Sequence, residues 1–166
     1  MMNNILFRLL LLFFKTLPLT RFYKTKVFIF NLCGFKVSKN VRIVSNIYIS
    51  GKCNIEIHEN TFIGHKVAFL GNGDFLIEKN VDIAPFVKLF TGTHKVDMLP
   101  HKAAGTGYND KITLKEGCWV GANSTILPGV SIGKCSIIAA GSVVNKSVPD
   151  YCLYAGNPAI FKKKLR

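Results

Sequence analysis

The sequence predicts an all-β solenoid, a parallel β-helix with short N-terminal helices and one extruded loop. Three observations predict it. Branched aliphatic residues recur every six positions over most of the chain. The repeat stops once, between Leu89 and Leu114. Ahead of it lies a Leu- and Phe-rich segment studded with cations and free of carboxylates.

The repeat is clearest in the C-terminal half, at Leu114, Val120, Ile126, Ile132, Ile138 and Val144. Four residues after each come Cys118, Ser124, Val130, Ser136, Ser142 and Val148, all small or β-branched. Upstream the same beat runs through Val37, Ile43, Ile49 and Ile55. It shifts by two to Ile57, Ile63 and Phe69, and again to Ile77, Ile83 and Leu89. Neither a helix of about 3.6 residues per turn nor a strand of period two holds such spacing. A solenoid does: each step is a short strand and a turn, and three steps close a triangular coil. Aliphatics then stack about 18 residues apart, small residues fill the corners, and about 16 steps make roughly five coils.

Residues 1–35 carry five cations and no acid, and their apolar runs, Ile5–Phe7, Leu9–Phe14 and Val27–Phe30, are broken by charges and Pro18. None reaches the roughly 20 residues a bilayer span needs. A cleaved signal peptide is not indicated either, since Met1–Asn4 bears no side-chain charge and no A-x-A site follows. One or two amphipathic helices are expected. They either lie in the headgroup layer of an anionic membrane or pack on the following domain. The division is a 1–35 helical segment, a 36–151 solenoid with a site loop at 90–113, and a 152–166 basic tail.

The net charge is +13, and the first 55 residues hold nine Lys or Arg before the first acid, Glu56. An anionic partner follows from this, a membrane or phosphorylated ligand rather than nucleic acid, for which no motif is present. Five cysteines, Cys33, Cys53, Cys118, Cys135 and Cys152, show no C-x-x-C spacing. They read as core residues of a protein in a reducing cytoplasm.

The interruption is where chemistry is expected, because a long loop in a tight solenoid is usually functional. It holds His94 and His101. Thr93-His94-Lys95-Val96-Asp97 resembles the T-H-x-x-D stretch of the maltose, galactoside and nodulation-type O-acetyltransferases of the hexapeptide-repeat family. Gly117–Ala122, Ile126–Val130, Ala140–Val144 and Ala155–Ala159 follow in that family's order. The likeness covers about Ile57 to Lys163. The N-terminal helices followed by Gly34–Val37 further resemble the branch that modifies capsule, exopolysaccharide or lipopolysaccharide sugars.

The resemblance implies that the coil winds left-handed, against the usual crossover hand. It implies acetyl-CoA as acyl donor, no metal, and a homotrimer with sites between subunits. By the same resemblance, His94 is the general base and the amide of Ala122 the oxyanion donor, with Asp97 an orienting group or a turn cap. The thioester arm would run along Gly121, Ala122, Ala139, Ala140 and Gly141, with Asn145, Lys146 and Lys163 at CoA contacts. Trp119 would floor the acceptor pocket or plug a corner, and Asn72 and Asp74 are candidate acceptor contacts. The coil at Phe69–Asp74 lacks the polar set that grips small free sugars in the galactoside branch, so that specificity does not carry over; the resemblance to the polysaccharide branch implies a sugar of a cell-envelope polysaccharide or its precursor as acceptor. The expected place is cytoplasmic, at or near the inner membrane face. Two rivals share the fold: an N-acetyltransferase of nucleotide-linked amino sugars, and a zinc carbonic anhydrase. The second needs three converging histidines, and His58, His65, His94 and His101 lack the H-x4-H pair.

Overall fold

The structure is a computed structural model that describes residues 9, 10, 12–14, 16–99 and 101–166. The run Ile5–Phe7, Arg8 and Lys15 lie outside the described residues. Coil one is β1 (Lys36–Val37), β2 (Arg42–Ile43) and β3 (Tyr48–Ser50). Coil two is β4 (Ile55–Ile57), β5 (Phe62–Ile63) and β6 (Ala68–Leu70), and coil three is β7 (Phe75–Ile77), β8 (Asp82–Ile83) and β9 (Lys88–Phe90). A hairpin follows, β10 (Gly92–Leu99) and β11 (Lys102–Asn109). Coil four is β12 (Ile112–Leu114), β13 (Trp119–Val120) and β14 (Thr125–Ile126), and coil five is β15 (Ser131–Ile132), β16 (Ile137–Ile138) and β17 (Val143–Val144). β18 (Cys152–Ala155) begins a sixth, and β19 (Ile160–Lys164) ends the chain's strands. The winding is that of the left-handed parallel β-helix.

Three parallel sheets form the faces of a prism. Face A stacks β1-β4-β7-β12-β15, face B stacks β2-β5-β8-β13-β16-β18, and face C stacks β3-β6-β9-β14-β17. The expected aliphatics point inward in register. Ile43, Ile63, Ile83, Val120 and Ile138 form one fully buried column behind face B. Each such side chain contributes roughly 1.5–3 kcal/mol. The corner residues Ser124, Ser136 and Ser142 are buried too, and smallness is only half of their role. Ser124 Oγ donates to the Ala139 carbonyl at 3.0 Å, and Ser136 Oγ to the Pro149 carbonyl at 2.6 Å. A corner hydroxyl thus pairs with backbone that a purely apolar residue would leave unsatisfied.

The stack distance is 18 residues only in the lower coils, where Leu114 pairs with Ile132. In the upper coils it is 20: Val37 pairs with Ile57 and Ile57 with Ile77. Both two-residue shifts fall at the corner between faces C and A, around Gly51–Asn54 and Gly71–Asp74. The hairpin leaves from that same corner one coil further on. The solenoid also runs past residue 151, because Cys152 is buried and β18 pairs with β16. The expected tail is therefore a last strand of face B with an antiparallel partner, β19, folded back along it.

Helix α1 (Tyr23–Leu32) and the helical residues within 9–16 cover the first coil. Phe14, Val27, Ile29 and Phe30 are buried with Phe35 and Val37 in one core. The packing role is thus present. Lys26 is fully buried as well, its Nζ donating to the carbonyls of Pro18 and Leu19 at 2.7 and 2.8 Å, which ties the connection to α1. Burial lowers its pKa from the usual lysine value.

Candidate active site

Most of the expected site residues fall on two corners of the prism. The first is the C–A corner of coil three. Its base is tight: Gly71 has φ +112°, and a Cβ there would stand 2.4 Å from Thr91 Oγ1. Thr91 is buried, its hydroxyl accepting the Gly73 N–H at 3.1 Å and donating to the Leu70 carbonyl at 3.2 Å. Asn72 belongs to this base. Its Oδ1 accepts the Lys52 N–H at 2.8 Å, and its own N–H donates to Asn109 Oδ1 at 2.9 Å. These bonds make Asn72 a clamp at the hairpin's foot. Asp74 accepts from Asn54 at 2.8 Å and lines a cavity of about 330 Å³ on face A with Lys36, Glu56 and Lys111.

From this foot the antiparallel strands β10 and β11 project, where sequence spacing predicts only an interruption. Thr93 pairs with Tyr108, and His94 with Gly107. His94 Nδ1 lies 2.9 Å from the Gly105 carbonyl oxygen. A carbonyl can only accept, so Nδ1 is the donor in this contact, and Nε2 is the nitrogen that bears the lone pair whenever the ring is neutral. The group that sets the imidazole is therefore a backbone carbonyl that sequence reasoning missed, since Gly105 reads as a turn residue. Asp97 packs on the Gly105 backbone and does not hydrogen-bond the His94 ring. His101 sits in the turn at the hairpin's far tip.

The second corner joins faces B and C. In coil four it is Gly121-Ala122-Asn123-Ser124, stacked on Ala139-Ala140-Gly141-Ser142 of coil five. Gly121 donates to the Ile138 carbonyl and Gly141 to the Ala122 carbonyl, each at 2.8 Å. A Cβ on Gly121 would stand 2.6 Å from the Ala140 nitrogen, so the coils close only because it is absent. No described residue accepts the Ala122 N–H. Around Gly141 there is open space, nothing lying within 4 Å of where a Cβ would be. The strip is narrow and smooth, with one uncommitted amide above it.

Trp119 does not plug a corner. It projects from face B, 52% exposed, between Asp82 above and Ile137 below. Lys163 lies at the end of the same face, paired with Leu153. Asn145 and Lys146 follow β17 and belong to the C–A corner. One chain thus does not bring Lys146 and Lys163 together. Nor does it bring His94 to Ala122: face C separates their corners, six residues of extended chain or roughly 15–20 Å. Among the described residues, His58 pairs with Glu56 at 3.0 Å and His65 faces the Ser45 carbonyl at 3.2 Å, and no cluster of three His, Cys, Asp or Glu could hold a metal.

Known proteins share this sequence pattern and fold. The bacterial transferase hexapeptide family (six repeats) matches residues 111–146. A galactoside O-acetyltransferase of Lactococcus lactis is 32% identical over 131 residues, covering 78% of this chain and 63% of the relative. The chain is similar to hexapeptide-repeat acetyltransferases over about three quarters of its length. It spans under two thirds of the length of the curated relatives it matches. Among solved hexapeptide-repeat structures, an acetyltransferase of Vibrio cholerae complexed with acetyl coenzyme A superposes with a TM-score of 0.80 at 26% identity, covering 98% of this chain and 87% of that one. A maltose O-acetyltransferase of Clostridium difficile superposes with a TM-score of 0.71 at 26% identity, covering 99% and 90%.

Proposed function

We propose that this protein transfers an acetyl group from acetyl-CoA to a sugar hydroxyl of a cell-envelope polysaccharide or its precursor, in the cytoplasm or at the inner membrane face. The observation that carries the reading is the hydrogen bond from His94 Nδ1 to the Gly105 carbonyl, which leaves Nε2 as a base. A sugar hydroxyl attacks a thioester slowly unless its proton is removed as the bond forms. His94 Nε2 takes that proton and returns it to the departing CoA sulfur. The Ala122 N–H donates to the thioester oxygen as charge gathers there. Gly121, Ala139, Ala140 and Gly141 form the wall beside the thioester arm, and Lys146, Lys163 and Asn145 meet its phosphates. Trp119 and Asp74 contact the acceptor. The two named acetyltransferase relatives that act on galactosides and maltose support a sugar acceptor. The cation-rich N-terminal segment supports one held near a membrane.

A base must come within about 3 Å of the proton it removes. With His94 and Ala122 on different corners, each site takes His94 from one protomer and the Ala122 corner from its neighbour. A closed three-fold ring satisfies every site in this way. The projecting hairpin suits that role, for Val96 is 86% exposed upon it.

The test is complementation. His94→Ala removes the base. Ala122→Pro removes only the amide hydrogen, because Pro85 already occupies the equivalent place one coil up, where Val120 pairs with Ile83. Alone, His94→Ala is expected to lose about 10²–10⁴-fold in turnover and Ala122→Pro about 10²–10³-fold, followed as thiol release. Mixed oligomers of the two should regain activity. Verified co-assembly with no gain over the parents would overturn the shared site.

A further inference from the structure

The two capping helices have two apolar faces each, and only one meets the core. In α1, Val27 and Phe30 face inward, while Phe28 is 62% exposed and Leu32 about half exposed. Lys24, Phe28 and Leu32 follow one i, i+4 row on the outer side. In the helical stretch before it, Phe14 is buried while Leu9, Leu12 and Phe13 are more than half exposed. Phe22, in the connection, is exposed too. A helix that only closes a core needs a single apolar stripe. Here a second set of apolar side chains, Leu9, Leu12, Phe13, Phe22, Phe28 and Leu32, faces outward at one end.

Cations ring this surface. Arg21, Lys24, Lys39 and Arg42 are exposed, and Lys24, Lys39 and Arg42 line one shallow cavity with Phe22. No described carboxylate pairs with any of the four. The first acid in the chain, Glu56, is already engaged by His58 at 3.0 Å and Lys36 at 3.9 Å.

We infer that this end of the solenoid docks flat on an anionic lipid surface. Apolar side chains inserted at headgroup depth, with cations beside them, are the chemistry of interfacial helices. A second copy of the chain is the poorer occupant, because it would press two uncompensated sets of cations together. Spanning is not the mode either: among the described residues no helix is long and apolar enough to cross a membrane. Docked so, the solenoid axis stands upright on the bilayer. At about 4.8 Å per coil, the third coil and its hairpin sit roughly 10 Å beyond the first. That is within reach of a headgroup-linked saccharide, a consequence that rests on the proposed acetyl transfer, whereas the docking itself does not.

The experiment is co-sedimentation of the full chain with vesicles of phosphatidylcholine alone, or of equal parts phosphatidylcholine and phosphatidylglycerol. Retention is expected on the anionic vesicles only, falling about tenfold or more as salt rises from roughly 0.05 to 0.5 M. Phe28→Ser with Leu32→Ser should reduce retention about tenfold with particle mass and thermal midpoint unchanged. Arg21→Glu with Lys24→Glu, which touches no core residue, should do the same. Equal retention on both vesicles, or on neither, overturns the inference. So does a Phe28→Ser, Leu32→Ser protein of lower particle mass that still binds vesicles, which would assign the patch to a second copy.

Discussion

At the B–C corner, Gly121 and Ala122 sit on Ala139 and Ala140 with backbones so close that a methyl on Gly121 would collide. At the C–A corner of the same prism, two extra residues enter in each upper coil, and the third opens into a hairpin. One corner is closed by repetition and the other opened by insertion. The difference assigns labour. The closed corner offers backbone groups in fixed places, such as the Ala122 N–H. The open corner offers a side chain, His94, on an arm long enough to leave its own prism.

Three variants sharpen this contrast. His94→Ala should separate the corners most: turnover falls about 10²–10⁴-fold, while the thermal midpoint stays where it was, since His94 is exposed on the hairpin. A wild-type rate of thiol release on a genuine acceptor would remove the proposed mechanism. Gly121→Val should act through the fold instead. Forcing a branched side chain against the Ala140 nitrogen should cost about 1–3 kcal/mol in denaturant unfolding; an unchanged midpoint would mean the coils are not held by that contact. The faces between corners should matter least. The hydrogen bond from His58, helped by Lys36, holds the Glu56 carboxyl below its usual range. A depressed carboxyl stabilises the fold above the unfolded value near 4.5 and loses that contribution as pH falls through the folded value. Glu56→Gln should therefore show a slightly flatter loss of stability below about pH 4.5 than the parent, and the same curve at pH 7 to within about 0.5 kcal/mol. A large difference at neutral pH would mean face A carries more than its exposure suggests.

Much of this architecture was legible in the sequence because repetition is a burial signal. Ile43, Ile63, Ile83 and Val120 recur where each must enter the core. The two-residue shifts were legible as well, but that both fall on one corner required the register of faces A and C. The hairpin was not legible as strands. Its residues on both faces are largely exposed, so no alternation marks them, and Gly105 and Gly107 read as breakers. For the same reason the carbonyl that holds His94 had no signature, a backbone atom being the same in every residue. Asn72 shows the opposite limit: a polar residue beside the site was visible, but whether it faced acceptor or clamped the hairpin depended on Asn109, 37 positions away.

A stack of like coils resembles a one-dimensional crystal, and nothing in the repeat itself says where growth should stop. β18 would leave a bare parallel edge at the last coil of face B. β19 runs back along that edge in the antiparallel sense, with all five of its residues exposed and Lys162, Lys163 and Lys164 among them. An incoming coil would meet a strand of the wrong polarity and a row of like charges. With helices over the first coil at the opposite end, the described solenoid carries an unlike cover at each of its two ends.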